Sequence, residues 1–299
     1  MNNLRKLLET HGPLTGKEIH EKTAADVFDL WKSCNLCTDL ISKTVGTRYL
    51  RLDKHVDGFA RLSPSILREF YNYTVIGLAK QSETVQAKAG RIHQEIIKIS
   101  KNKFALARDI MKKIVESQQA SQMIQAGACF IISGDVAYEM AHLEPRPEFS
   151  TGKIVNGSDL DIVIVYQDIP ESILKDLDSY IYGQKYFLLN NPSHREEIDY
   201  VIKDIARVRQ QLAFEGFASM VASKVLEEGK FLYGDFEMFS KLKGMVNSQG
   251  IPEKLAALKD RASIERENAR LQLLASNDAF TGKETRRLFY TTDEREEFF

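Results

Sequence analysis

Asp159 and Asp161 open a run of aliphatic and β-branched residues, Ile162-Val163-Ile164-Val165-Tyr166, that reads as a buried strand. Carboxylates at the mouth of a buried strand are costly unless something compensates them. Residues two apart on a strand project from one face, so Asp159 and Asp161 stand side by side while Leu160 and Ile162 point the other way. A later alternating segment, Glu197-Ile198-Asp199-Tyr200-Val201-Ile202, again carries acids, with Glu197 and Asp199 on a shared face. Asp159, Asp161 and one of Glu197 or Asp199 thus form a set of three carboxylates on two strands. Oxygen-only sets of this kind suit hard divalent cations such as Mg2+ or Mn2+. Two such ions about 3.5–4 Å apart would clamp the attacking and leaving oxygens of a phosphoryl displacement. Attack on the α-phosphorus of a nucleoside triphosphate is the reaction that this arrangement suits.

The elements that must hold these acids follow from the surrounding pattern. Ala128-Cys129-Phe130-Ile131-Ile132 reads as a strand ending at Ser133-Gly134-Asp135, with a helix over Val136 to Leu143 and Asp135 as its N-cap. Small residues at such a turn let backbone N–H groups approach an anion. Pro145 to Gly157 is expected to be a polar loop, and the second strand to run from Asp159 to Tyr166. A helix follows from Pro170 to about Asn190, ended by Asn191-Pro192, before the strand that carries Asp199. The remainder reads as helices over about 205–228, 236–246 and 251–276, then a loosely held polar tail of about 20 residues.

Upstream, residues 1–75 form a unit of their own. Three short helices are expected within 3–33, then a hairpin with strands Asp39–Ser42 and Arg48–Leu52 around Lys43–Thr47. This order, with the phrase Val45-Gly46-Thr47-Arg48-Tyr49-Leu50-Arg51-Leu52, is similar to a winged helix-turn-helix. The resemblance implies DNA contact through Lys43, Arg48 and Arg51 of the wing; packing on the rest of the chain or homodimerisation are the alternatives. From Ser63-Pro64 onward the pattern turns mainly helical, and residues 76–125 read as a helical linker with an apolar stripe through Ile92, Ile96, Ile99, Leu106, Ile110 and Ile114. The lysines between them form a solvated face or a guide for a polyanion.

Forty-one basic and forty-two acidic residues leave a net charge of −1, so no global field draws the chain onto nucleic acid or a membrane. Neither a signal peptide nor an apolar run of membrane-spanning length is visible, and the expectation is a cytoplasmic protein without membrane contact. Three cysteines are too few for a disulfide framework, and Cys34-Asn35-Leu36-Cys37 lacks the further ligands of a zinc site.

Strand, Ser133-Gly134, helix, then Ser158-Asp159-Leu160-Asp161-Ile162-Val163 on a strand and a single Asp199 on a later one resembles the nucleotidyltransferase fold of the polymerase-beta superfamily. Val225-Leu226-Glu227-Glu228-Gly229-Lys230-Phe231-Leu232-Tyr233-Gly234 is also similar to the helix and turn that follow the core in small bacterial members. The resemblance spans about residues 126–235. It implies an α/β (α+β) protein with a small mixed sheet flanked by helices, a core over 126–210 and a C-terminal helical region and tail over 211–299. It implies that Asp159 and Asp161 ligate two Mg2+ ions, and that Asp199 binds the one activating the incoming hydroxyl. Ser133, Gly134 and Ser158 would lie at the triphosphate of ATP or another nucleotide. Two features depart from the family: Gly134 is followed by Asp135 rather than Ser or Gly, and the interval from Gly134 to Asp159 is 25 residues. As helix cap, Asp135 would turn away from phosphate, and Lys153 in the longer loop would reach toward it. The implied activity is transfer of a nucleoside monophosphate to a hydroxyl of RNA, protein or a small molecule, as in bacterial toxins and defence factors. The alternative is a winged-helix DNA-binding regulator with a catalytically degenerate core.

Overall fold

The computed structural model describes residues 2–148, 151–276 and 287–291. It is a mixed α/β protein of small sheets flanked by helices, divided into two compact units, Met1–Glu95 with Leu258–Phe299, and Ile96–Ala257. No helix among the described residues is long and apolar enough to cross a membrane.

The first unit begins α1 (Asn2–His11), β1 (Leu14–Thr15), α2 (Gly16–Thr23), α3 (Val27–Leu36) and β2 (Leu40–Thr44). Thr15 and Glu18 close a capping box on α2, and Asp26 caps α3 through the N–H groups of Phe28 and Asp29, which explains why these short helices start where they do. β3 (Tyr49–Leu52) and β4 (Ala60–Ser63) precede a single turn, α4 (Ile66–Arg68), and then β5 (Thr74–Leu78). The expected hairpin between 39–42 and 48–52 does not form. β2 pairs with β5 from Leu40↔Leu78 to Thr44↔Thr74, giving an antiparallel sheet β1-β5-β2, while β3 pairs with β4 as a separate ribbon. Thr74–Leu78, buried at all five positions, supplies a continuous apolar strand to the middle of the sheet, whereas 48–52 is buried only at Tyr49 and Leu50. That run, read as helical from sequence, satisfies both patterns, and its β-branched residues suit the strand that its pairing makes of it.

The expected loose tail is partly anchored. Phe289 is fully buried, with its ring 5.3 Å from that of Phe28 and 5.4 Å from that of Trp31. Residues 292–299, including Phe298-Phe299, lie outside the described residues.

The second unit takes the end of α5 (Ser82–Glu116), then α6 (Ser121–Gly127), β6 (Ala128–Ile132), α7 (Gly134–Ala137), β7 (Pro145–Pro147), β8 (Ile154–Asn156), β9 (Leu160–Tyr166), α8 (Glu171–Asn190) and β10 (Ile198–Asp204). α9 (Ile205–Gln211), α10 (Gly216–Glu228), β11 (Lys230–Gly234), α11 (Phe236–Ser248) and the start of α12 (Ile251–Ala275) complete it. The sheet order is β10-β9-β6-β11, parallel between β9 and β10 and antiparallel elsewhere. Leu160, Ile162, Ile164 and Ile198 of one face join Ile110, Ile114, Leu177 and Ile181 in a single core. The opposite face carries Asp161 and Asp199.

Three expectations about this unit are corrected. The helix after β6 is one turn, Gly134–Ala137, not Val136–Leu143, because Glu139 takes a left-handed backbone (φ 57°) that a helix cannot continue through. The loop 145–157 contains the β7–β8 hairpin, in register Arg146↔Val155. Lys230–Gly234, expected as a turn, is an edge strand on β6.

Candidate active site

The topology brings the acids together. β9 runs antiparallel to β6 with Ile132↔Ile162, so the turn leaving β6 stands beside the start of β9. β10 runs parallel to β9 with Asp199↔Asp161, placing its acid on the same end and face. One carboxylate oxygen from each of Asp159, Asp161 and Asp199 lies within 4.8 Å of the others, and this trio could hold a metal ion. The donor set is oxygen-only and anchored on adjacent strands, which fits a hard divalent cation.

Asp199, rather than Glu197, completes the trio. Glu197 is buried, and its Oε2 accepts from Arg146 Nη2 at 2.8 Å. Burial raises the Glu197 carboxyl above its ordinary range, and the Arg146 guanidinium opposes that rise. Arg146 also ion-pairs with Asp159 and donates through Nε to the Gly157 carbonyl at 2.9 Å. Lys185 donates to Asp199 Oδ1 at 2.8 Å. Two cations therefore already answer the carboxylate charge.

The turn after β6 is tightly fitted. Ser133, buried, is the N-cap residue of α7; its N–H donates to the Asp161 carbonyl at 2.9 Å. Gly134 adopts φ 66°, and a Cβ there would lie 2.2 Å from Asp161 Oδ2, so only glycine allows both the backbone and the carboxylate to occupy this place. Its N–H donates to Glu228 Oε1 at 3.1 Å; Glu228 also accepts from the Tyr138 hydroxyl at 2.7 Å and pairs with Lys224. Burial and the Glu228 charge push the Tyr138 phenol upward, keeping it a hydrogen-bond donor.

Asp135 does not cap the helix as expected. Its Oδ2 accepts from the Ser158 hydroxyl at 2.8 Å, and that hydroxyl accepts from the His142 N–H at 3.2 Å. Ser158, expected near nucleotide, thus ties the start of β9 to the turn after β6. Lys153, placed by sequence near the phosphates, is exposed on the β7–β8 hairpin and hydrogen-bonds Asn190 at the end of α8.

Behind the acids sits a cation that the sequence pattern had assigned to the solvated lysine face, and it is instead buried. Lys103, on α5, is 3% exposed and donates to the carbonyls of Asn156 at 2.8 Å and Ser158 at 2.9 Å and to Glu196 Oε2 at 2.5 Å. Burial lowers the Lys103 ammonium and raises the Glu196 carboxyl, each partly restored by the other. Arg146 was also missed. Its signal was Pro145-Arg146-Pro147: two fixed φ angles hold one arginine in an extended segment. Glu228 follows Lys224 by four residues at the end of a helix, a visible pair whose partner Gly134 was not.

Comparison with protein-family models and with curated proteins finds no match.

Proposed function

We propose that the chain is a divalent-metal-dependent nucleotidyltransferase that moves a nucleoside monophosphate from a nucleoside triphosphate to an acceptor hydroxyl on RNA, protein or a small molecule. The observation that carries this reading is the convergence of Asp159, Asp161 and Asp199 beside the glycine turn at Gly134. Asp159, Asp161 and Asp199 would hold Mg2+ or Mn2+, which neutralises phosphate charge and eases ionisation of a hydroxyl. Asp199, the most exposed of the three, accepts the proton of the acceptor hydroxyl at Oδ2. The Gly134 N–H, now given to Glu228, donates to a phosphate oxygen when the triphosphate arrives. Arg146 supplies a guanidinium at the same rim, suited to phosphate by its planar fork.

The regulator reading receives less support. Arg48, expected to face DNA phosphates, donates instead to both oxygens of Glu69, through Nε at 2.5 Å and Nη2 at 2.8 Å.

The test is incubation with each labelled nucleoside triphosphate and Mg2+, followed by separation of RNA, protein and small products. Label should enter one acceptor class with release of pyrophosphate, and Asp159→Ala/Asp161→Ala should abolish it. Equal labelling by parent and variant, or none from any of the four nucleotides across all three acceptor classes, sinks the reading.

A further inference from the structure

The first unit contains a cavity of about 310 Å³, near the low end of the ~300–1,000 Å³ span of small-molecule sites. Its floor is apolar and aromatic: Trp31, Ile66, Phe70 and Ile76 line it, each less than 5% exposed. Its rim is cationic. Arg48, Arg266 and Arg270 all line the same space, against two carboxylates, Glu69 and Glu267. Glu69 is shared: it receives Arg48 at 2.5 and 2.8 Å and stands 3.5 Å from Arg266 Nη2. Glu267 pairs with Arg270 of its own helix at 3.0 Å. Three guanidiniums against two carboxylates leave one excess positive charge around a half-enclosed space, where low dielectric strengthens its pull on an anion. Hydroxyls of Ser42, Thr44 and Thr74 add neutral hydrogen-bonding groups to the wall.

The geometry points to a binding site for a small aromatic organic anion, a carboxylate or phosphate monoester whose ring lies on the Trp31–Phe70 floor and whose anionic group meets Arg48 and Arg270. A cation would meet the guanidiniums, and an uncharged ring would leave them without an anionic partner from the ligand. The charged group therefore gives selectivity and the floor gives most of the contact. This site is independent of the acid cluster and of any transferase activity.

Trp31 is the chain's single tryptophan, so its fluorescence reports on this cavity directly. The full-length protein is titrated with phenyl phosphate, benzoate, benzamide and inorganic phosphate. Phenyl phosphate or benzoate should change the emission saturably, the better of the two identifying the anionic group, while benzamide and inorganic phosphate bind at least about tenfold more weakly. Arg48→Ala should weaken the better anion about tenfold; because that change also releases Glu69, Arg270→Ala, on a partly exposed side chain, is measured beside it and should weaken binding with unchanged circular dichroism. The proposal is overturned by no saturable change with either anion up to about 10 mM, by benzamide binding as tightly as the anions, or by affinity that neither arginine variant alters.

Discussion

Two cation–carboxylate arrangements flank the same short stretch, residues 156–161, and they differ in burial. On one side Lys103 and Glu196 are 3% and 10% exposed, and the ammonium is also fixed by two carbonyls. On the other side Asp159 and Asp199 keep 31% and 53% of their side chains in solvent, facing Arg146 and Lys185. A buried ion has no water to fall back on, so removing its partner leaves the full desolvation cost. A half-exposed carboxylate can exchange one counter-charge for another at little cost. The interior pair thus serves as an anchor for the backbone that presents the acids. The rim is where the proposed metal and phosphate would exchange with these counter-charges.

The largest effect that sharpens this contrast is on activity. Asp159→Ala/Asp161→Ala should lower transfer by on the order of 10⁴-fold, or ~5.5 kcal/mol of barrier, while changing unfolding free energy by no more than about 1 kcal/mol. Labelled transfer and urea denaturation measured together would break the comparison if stability fell as steeply as rate.

Next comes the anchor. Lys103→Met should destabilise by about 3–4 kcal/mol, because Glu196 remains buried without its cation; adding Glu196→Leu should recover most of that loss. Burial already raises Glu196, and losing Lys103 raises it further. A folded-state carboxyl pKa above the unfolded value gives stability that is fully present below the unfolded value, about 4.3, and is lost as pH rises from there through the raised folded value. The deficit of Lys103→Met should therefore be smaller near pH 4 than at pH 7. An equal deficit at both pH values would count against Glu196 as its source.

Another buried cation stands apart from both arrangements. Lys203, on β10, is 8% exposed, and Gln211 Oε1 accepts from its ammonium at 3.0 Å. Burial, with the nearby charge of Arg207, lowers it to about 8. Between about pH 8 and the ordinary lysine value near 10.4, the unfolded chain holds a proton that the folded chain has shed, so stability rises with pH there. Lys203→Met should remove that slope and stabilise the protein by about 1–2 kcal/mol at pH 7. Destabilisation at pH 7 would show that Lys203 is held as firmly as Lys103.

The acids were legible because their signal is local. A two-residue period on a strongly apolar strand fixes which side chains share a face, and Asp159, Asp161 and the pair Glu197 and Asp199 follow from it; choosing Asp199 over Glu197 took the family resemblance. What escaped depends on partners distant in sequence. The run 74–78 is apolar enough for helix or strand, and only its pairing with β1 and β2 decides. Arg146 reaches Asp159 because a hairpin folds back over the start of β9, and Lys103 because α5 passes 55 residues away from Ser158 along the chain. The turn at Gly134 was readable as a close approach; that Glu228 would take its N–H was not.

The smallest effect tests the exchangeable side most directly. Lys185 and Asp199 form a 2.8 Å pair with side chains 28% and 53% exposed. Such pairs contribute about 0–1 kcal/mol, so Lys185→Ala should move unfolding free energy by less than about 0.5 kcal/mol. Its effect on metal dependence should be easier to see. Lys185 competes for a carboxylate that the proposed reaction needs, and removing it should lower the Mg2+ concentration for half-maximal transfer by about two- to threefold. A rise in that concentration would mean that Lys185 holds Asp199 in place, and the rim would then be an anchor as well.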